Sequence, residues 1–184
     1  MYHISKVFEE EIMVDLNLRL ETNRLLLVPY NDDYLQDYFN EFTEEITKYQ
    51  YPDKFNNIDD ARNLLAYFIE IMEKGKMLEL VILSKDGEFL GSIEAHGLDE
   101  NYPVLGLWLK SKAHGNGYGY EALKCLIDYL NSTKSFENYI YEADKRNLQS
   151  LCLAKKFKCK EDGYKEVITD SGKKLNLLRY FINN

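Results

Sequence analysis

The sequence predicts a single mixed α/β domain, and three observations carry that prediction. Short apolar runs alternate with longer segments in which apolar residues recur at helical spacing. Two glycine-containing turns, Asp86-Gly87 and Asp170-Ser171-Gly172, each join a pair of apolar runs as a hairpin. Near the middle, "HGNGYGY" gathers three of the chain's ten glycines where a strand hands over to a helix.

Taken in order, residues 1–20 read as an N-terminal extension in which Ile12, Val14, Leu16, Leu18 and Leu20 alternate with polar neighbours, as in an additional strand. "RLLLVPY" (24–30) is a compact strand stopped by Pro29, and "NDD" after it supplies caps for a helix over 33–45. "YQYPDKFNNIDD" is a loop, after which Asp59 or Asp60 opens a helix carrying Leu64, Leu65, Phe68, Ile69 and Met72. "MLELVILS" and "EFLGSIEAHGL" form the first hairpin, with Asp86-Gly87 as a tight two-residue turn. "VLGLWLK" (104–110) is apolar on both faces and predicts a central strand. Ala122, Leu123, Leu126, Ile127 and Leu130 mark the helix behind the glycines. "NYIYEAD" is a strand, "NLQSLCLAKKF" a helix opened by Asn147, and the remainder the second hairpin.

A chain of 184 residues, 45% of them hydrophobic, buries one core and not two, so residues 1–184 read as one domain. The net charge of −8 argues against a broad nucleic-acid surface and favours a cationic partner. Cys125, Cys152 and Cys159 lack metal or redox spacing with one another or with the three histidines, so no metal site is expected. The acidic N-terminal stretch does not resemble a secretory signal, and no apolar run reaches the roughly 20 residues that span a bilayer. These features predict a reduced, cytoplasmic protein without a membrane partner.

Glycines in "HGNGYGY" permit backbone angles that point successive N–H groups into one concavity, and the helix beginning near Gly117 adds its own N-terminal donors. Such a corner can hold a pyrophosphate, or it can be a tight turn and nothing more. It lacks the Gly-Lys-Ser/Thr ending of a nucleotide P-loop, and glycines at 115, 117 and 119 do not match Gly-x-Gly-x-x-Gly.

"VLGLWLKSKAHGNGYGYEAL" resembles the central motif of the GNAT acyltransferases, "EADKRNLQSLCLAKKFKC" resembles their following strand and Asn-x-x-Ser helix, and "ETNRLLLVPYNDD" is similar to the start of the branch containing ribosomal-protein N-terminal and spermidine acetyltransferases. The resemblance spans roughly residues 21–182. It implies a GNAT fold, a mixed sheet of about seven strands with about four helices, splayed between 104–110 and 137–144. It further implies acetyl-CoA or coenzyme A as cofactor. His114, Gly115, Asn116, Gly117, Tyr118, Gly119 and Tyr120 then fall in the pyrophosphate loop, Trp108, Leu109 and Lys110 on the strand that pairs with the pantetheine arm, and Asn147 and Ser150 against that arm. The other reading of Asn147 and Ser150 is helix capping.

The chain departs from the family pattern at His114, where arginine or glutamine is usual, at Val104, at Phe157-Lys158-Cys159, and at Ala154, where many relatives carry a tyrosine acid. Neither proton carrier is inherited by position. Glu94 is the favoured base because strand alternation puts it on one face with His96, and its other reading is a surface glutamate. Tyr141 and Glu142 are further candidates. The reaction implied is direct attack of a primary amine on the thioester, with main-chain N–H groups around Leu109 polarising the carbonyl. The acceptor expected is a peptide N-terminus, a polyamine or an aminoglycoside-like amine, met by Tyr49, Tyr51 or Phe55 and by Asp53, Asp59 or Asp60. A homodimer is compatible with these expectations. The competing readings are a catalytically weak acyl-CoA-binding regulatory module and an NAD-dependent enzyme.

Overall fold

The computed structural model describes residues 14–183. Its centre is one sheet of eight strands in the order β1-β2-β3-β4-β5-β6-β8-β7. The strands are β1 (Leu20–Glu21), β2 (Leu25–Pro29), β3 (Met77–Ser84), β4 (Phe89–His96), β5 (Val104–Leu109), β6 (Asn138–Asp144), β7 (Cys159–Ile168) and β8 (Lys174–Asn183). The helices are α1 (Leu35–Glu41), α2 (Glu44–Thr47), α3 (Ile58–Glu73), α4 (Tyr118–Thr133) and α5 (Leu148–Ala154). Every strand pairing is antiparallel except β5 with β6.

Strand alternation divides the core in two. Leu27, Leu80, Ile93, Leu105 and Tyr139 point to the face covered by α4 and α5, against Leu123, Leu126 and Leu151. Val28, Val81, Leu83 and Trp108 point to the face covered by α1 and α3, against Tyr38, Phe42 and Leu65. Fully burying a leucine or phenylalanine contributes about 1.5–3 kcal/mol, so both layers are substantial. Trp108 centres the second, with the rings of Tyr38, Phe42 and Phe89 at 4.9, 5.0 and 5.8 Å.

Four expectations shift. The strand anticipated across residues 12–20 is a turn at Leu16 and Asn17 followed by the two-residue β1, while Ile12 lies outside the described residues. The helix expected over 33–45 divides because Thr43 caps a new one, its hydroxyl accepting from Ile46 N. Asn57, not Asp59 or Asp60, caps α3, accepting from Asp60 N at 3.0 Å. The first hairpin closes through three residues rather than two, Ser84 N–H donating to Glu88 O with Gly87 at φ 83°, and so matches the second, where Thr169 N–H donates to Lys173 O around Asp170-Ser171-Gly172 with Gly172 at φ 80°.

Candidate active site

β5 and β6 pair at only two positions, Val104 with Ile140 and Leu105 with Tyr141. Beyond Leu105 each strand follows its outer neighbour: β5 stays on β4 as far as Leu109, and β6 stays on β8 as far as Asp144. The sheet therefore splits from Gly106 onward. Lys110 N–H donates to Leu90 O on the β4 side. Alternation then turns the main-chain groups of Leu107 and Leu109 into the gap.

The glycine loop stands at the head of this gap. Gly115 and Gly117 have φ of 75° and 80°, a region open to glycine and strained for other residues. Gly117 caps α4 with no side-chain hydrogen bond, so the first-turn N–H groups of α4 are left to an anion or to solvent. A Cβ at Gly115 would meet nothing within 4 Å, so that side of the loop is open. A Cβ at Gly119 would lie 3.4 Å from Leu107 Cδ1 and 3.5 Å from Leu153 Cδ2, where α4 and α5 close around the gap. An extended diphosphate with an arm running along β5 fits these features.

The loop is braced from inside and below. Asn116 folds back, its Nδ2 donating to His114 O at 3.1 Å and Ala113 O at 3.3 Å. His114 Nε2 donates to Leu109 O at 2.8 Å, so this ring occupies a main-chain acceptor of the gap. Arg24, on the approach to β2, donates from Nη1 to Asn116 O at 2.9 Å, pairs with Glu121 at 2.5 Å and lies over the Tyr118 ring at 4.8 Å. Burial works against the charge of Glu121, but its bonds to Thr22 and Arg24 outweigh that and hold its carboxyl low. Tyr120 stacks with Phe157, centroids 5.0 Å apart.

The remaining residues singled out in the sequence divide by where they point. Asn147 caps α5 by accepting from Ser150 N at 3.2 Å. Ser150 Oγ shares a 2.8 Å hydrogen bond with Tyr141 OH, at the last rung before the gap. Burial raises the Tyr141 phenol, against a smaller pull from Ser150, so it stays protonated. Glu142, on the opposite face, is held by Arg179 at 2.9 Å and Lys165 at 2.6 Å. Lys110 turns away to Glu88 at 2.8 Å, and Trp108 enters the aromatic layer. Of Trp108, Leu109 and Lys110, it is the main chain of Leu109 that faces the gap. Ala154 is buried and offers no proton.

Glu94 lies across β5. It pairs in register with Gly106, and a Cβ there would come within 2.6 Å of Glu94 Oε1, so the missing side chain makes room for the carboxylate at the start of the split. Burial pushes this carboxyl up, opposed by His96, whose Nδ1 is 3.9 Å away. The side chain remains 31% exposed, into a groove of about 390 Å³ lined by Tyr67, Phe68, Glu94, His96, Asp99 and Glu100 among others.

Of the expected acceptor residues Tyr51 is exposed, and the others are engaged as follows. Asp53 pairs with Lys173 at 2.7 Å, Asp59 with Arg62, and Asp60 with Asn57 at 3.0 Å. Phe55 packs on Phe42, and Tyr49 lies under Arg146. Sequence reasoning missed Arg24, Gly106, Glu79 and Tyr38. A glycine opposite a glutamate on neighbouring strands was the one available signal, and it required the register.

The family model described as the acetyltransferase (GNAT) domain matches residues 24–160. No curated protein sequence is significantly similar to the chain. Among solved structures, RimL, a ribosomal L7/L12 alpha-N-protein acetyltransferase in complex with coenzyme A, superposes with a TM-score of 0.79 at 12% identity, over 90% of this chain and 98% of that one. Spermidine N-acetyltransferase from Vibrio cholerae, in complex with CoA and spermine, gives 0.76 at 13% identity, over 88% and 96%. The Microcin C7 self immunity acetyltransferase MccE, in complex with acetyl-CoA and AMP, gives 0.78 at 17% identity, over 89% and 94%. Among the described residues, no helix is long and apolar enough to cross a membrane. The split between β5 and β6, the glycine corner above it and the matched residues 24–160 agree in one assignment: the chain belongs to the GNAT acetyltransferase family.

Proposed function

We propose that the chain transfers an acetyl group from acetyl-CoA to a primary amine by direct attack, with Glu94 as proton acceptor. The observation that carries this is Glu94 lying over Gly106, where the sheet begins to part and an open groove reaches the same point. Bound acetyl-CoA would supply the thioester, so that the N–C bond forms as the C–S bond breaks. The N–H groups of the loop around Gly115 and Gly117 would hold its diphosphate, and the main chain of Leu107 and Leu109 would pair with its arm.

Glu94 is a stronger base than an ordinary glutamate, because burial raises its carboxyl, and the groove lets an ammonium approach it. The amine's proton goes to Glu94 and from there to solvent. Tyr141, kept protonated by burial, is the candidate donor to the leaving sulfur, and it would regain that proton from solvent through Ser150 Oγ, 2.8 Å away. Glu142 is the weaker carboxylate for either role, since two cations already hold it. The carboxylates in the groove favour a cationic acceptor, of the kind offered by a peptide N-terminus, a polyamine or an aminoglycoside.

The test is thiol release from acetyl-CoA with N-terminal peptides, spermidine and aminoglycosides as acceptors. Turnover with at least one amine is expected. Glu94→Gln should lower kcat by about 100-fold or more while acetyl-CoA affinity stays within about twofold. Equal rates would remove Glu94 from the chemistry, and cofactor binding with no thiol release from the unaltered protein would favour a regulatory module.

A further inference from the structure

A second carboxyl lies beside the first. Glu79 of β3 and Glu94 of β4 are direct cross-strand partners on the face covered by α1 and α3. Such partners hold their Cβ atoms about 5 Å apart. Glu79 is 2% exposed. Its Oε1 accepts from Ser92 Oγ and from Tyr38 OH, the latter at 3.4 Å. Tyr38 OH in turn accepts from Trp108 Nε1 at 3.2 Å, and the N–H of Glu79 itself reaches Met72 Sδ at 3.3 Å. Every group in these contacts is neutral.

A carboxylate enclosed by neutral donors gives up several kcal/mol of hydration with no charge to compensate, whereas the protonated acid gives up far less. Both hydroxyl donors go to Oε1, which leaves Oε2 to carry the proton. We propose, resting on Glu94 as the proton acceptor, that Glu79 and Glu94 act as one dyad holding a single proton at neutral pH, with Glu79 the neutral positioning residue and Glu94 the charged member. When Glu94 takes the proton of the attacking amine, the dyad becomes neutral and Glu79 keeps its own proton throughout. No second negative charge is ever buried beneath the base.

The groups around the pair are consistent with this. Tyr30 and Tyr38 face Glu79 as neutral phenols, both raised chiefly by burial, and Arg62 and Asp32 act on Tyr30 from beyond it. On the groove side His96 faces Glu94 at 3.9 Å, Lys76 is paired with Asp99 at 2.8 Å, and Glu100 lines the same wall. Burial, and then the charge of Glu94, drive the Glu79 carboxyl well above the ordinary range, against smaller contributions from Ser92 and Tyr38.

Carboxyl-carbon NMR of glutamate-labelled protein between pH 4 and 10 tests the dyad directly. In the unaltered protein Glu94 should titrate first and Glu79 should keep its proton at pH 7. In Glu94→Gln the Glu79 midpoint should fall by about one unit or more, because the neighbouring charge is gone. In Glu79→Gln, which mimics the neutral acid, the Glu94 midpoint should stay within about 0.3 unit. Glu79 found ionised at pH 6, an unmoved Glu79 midpoint in Glu94→Gln, or a Glu94 midpoint lowered by about one unit in Glu79→Gln would each overturn the dyad. Full turnover by Glu94→Gln would instead remove the base itself, whatever the two carbons report.

Discussion

Arg24 and Asn116 are joined by a 2.9 Å hydrogen bond from the guanidinium to the loop carbonyl, which ties the approach to β2 to the corner that opens α4. The same guanidinium grips Glu121 and covers Tyr118, so one side chain fixes the loop, the first turn of the helix and the edge of the sheet together.

Arg24→Ala should therefore weaken acetyl-CoA binding by about tenfold, or about 1.4 kcal/mol, measured by calorimetry. The Arg24 side chain is 48% exposed, so the ion pair itself contributes little to stability, and the loss should appear in loop order rather than in melting temperature. Unchanged affinity would separate this anchor from the cofactor.

Gly106→Ala keeps Glu94 but places a methyl where its Oε1 now lies, 2.6 Å from the new Cβ. The flexible end of the glutamate can swing aside, so folding stability should change by less than about 1 kcal/mol. kcat should fall about tenfold with acetyl-CoA affinity intact. Steady-state kinetics beside a thermal melt distinguish displacement of the carboxylate from damage to the fold.

Asp53 should stabilise the protein in a pH-dependent way. Burial opposes its ionisation, but hydrogen bonds from Lys173, Thr169 and Ser171 outweigh burial and depress its pKa to about 2. Its unfolded value is about 3.9, so the contribution is complete above that pH and is lost as pH falls through about 2. Discounted for solvent screening, it is about 1 kcal/mol. Denaturant titrations of Asp53→Asn should show this deficit at pH 7 and should converge with the unaltered protein near pH 2.

Tyr30 carries a buried hydroxyl with no hydrogen-bond partner among the described residues. Its ring meets Tyr38 edge-on at 6.0 Å, a contact that does not use the oxygen. An unpaired buried hydroxyl costs about 1–3 kcal/mol in lost hydration, so Tyr30→Phe should be neutral or stabilising by about 1 kcal/mol. A marked loss of stability in chemical denaturation would show that this hydroxyl has a partner.

The parts of the structure legible in the sequence are those encoded locally. Apolar periodicity located α4, two apolar runs about the Asp86-Gly87 turn located β3 and β4, and the clustered glycines located the corner between β5 and α4, because each signal spans fewer than about 20 residues. Alternation also put Glu94 and His96 on one face, and their separation is 3.9 Å. What was not legible depends on residues far apart in the chain. Lys173 reaches the carbonyls of Thr47 and Gln50, and no local pattern announces that Asp53 is thereby occupied. Lys110 turns to Glu88 for a similar reason, since the hairpin brings a carboxylate to it. Close to the site, Asn57 competed with two aspartates to cap α3, and only the backbone geometry chooses among three neighbouring side chains that can all do so.

The two-rung ladder between β5 and β6 has a kinetic consequence. The glycine corner lies on the α4 side of the sheet and the carboxylate groove on the α3 side, so donor and acceptor would come to the slot through separate doorways. Neither would have to depart before the other arrives. Double-reciprocal plots would then intersect, and a spent carrier lingering on its own side would compete with fresh carrier but not with the amine.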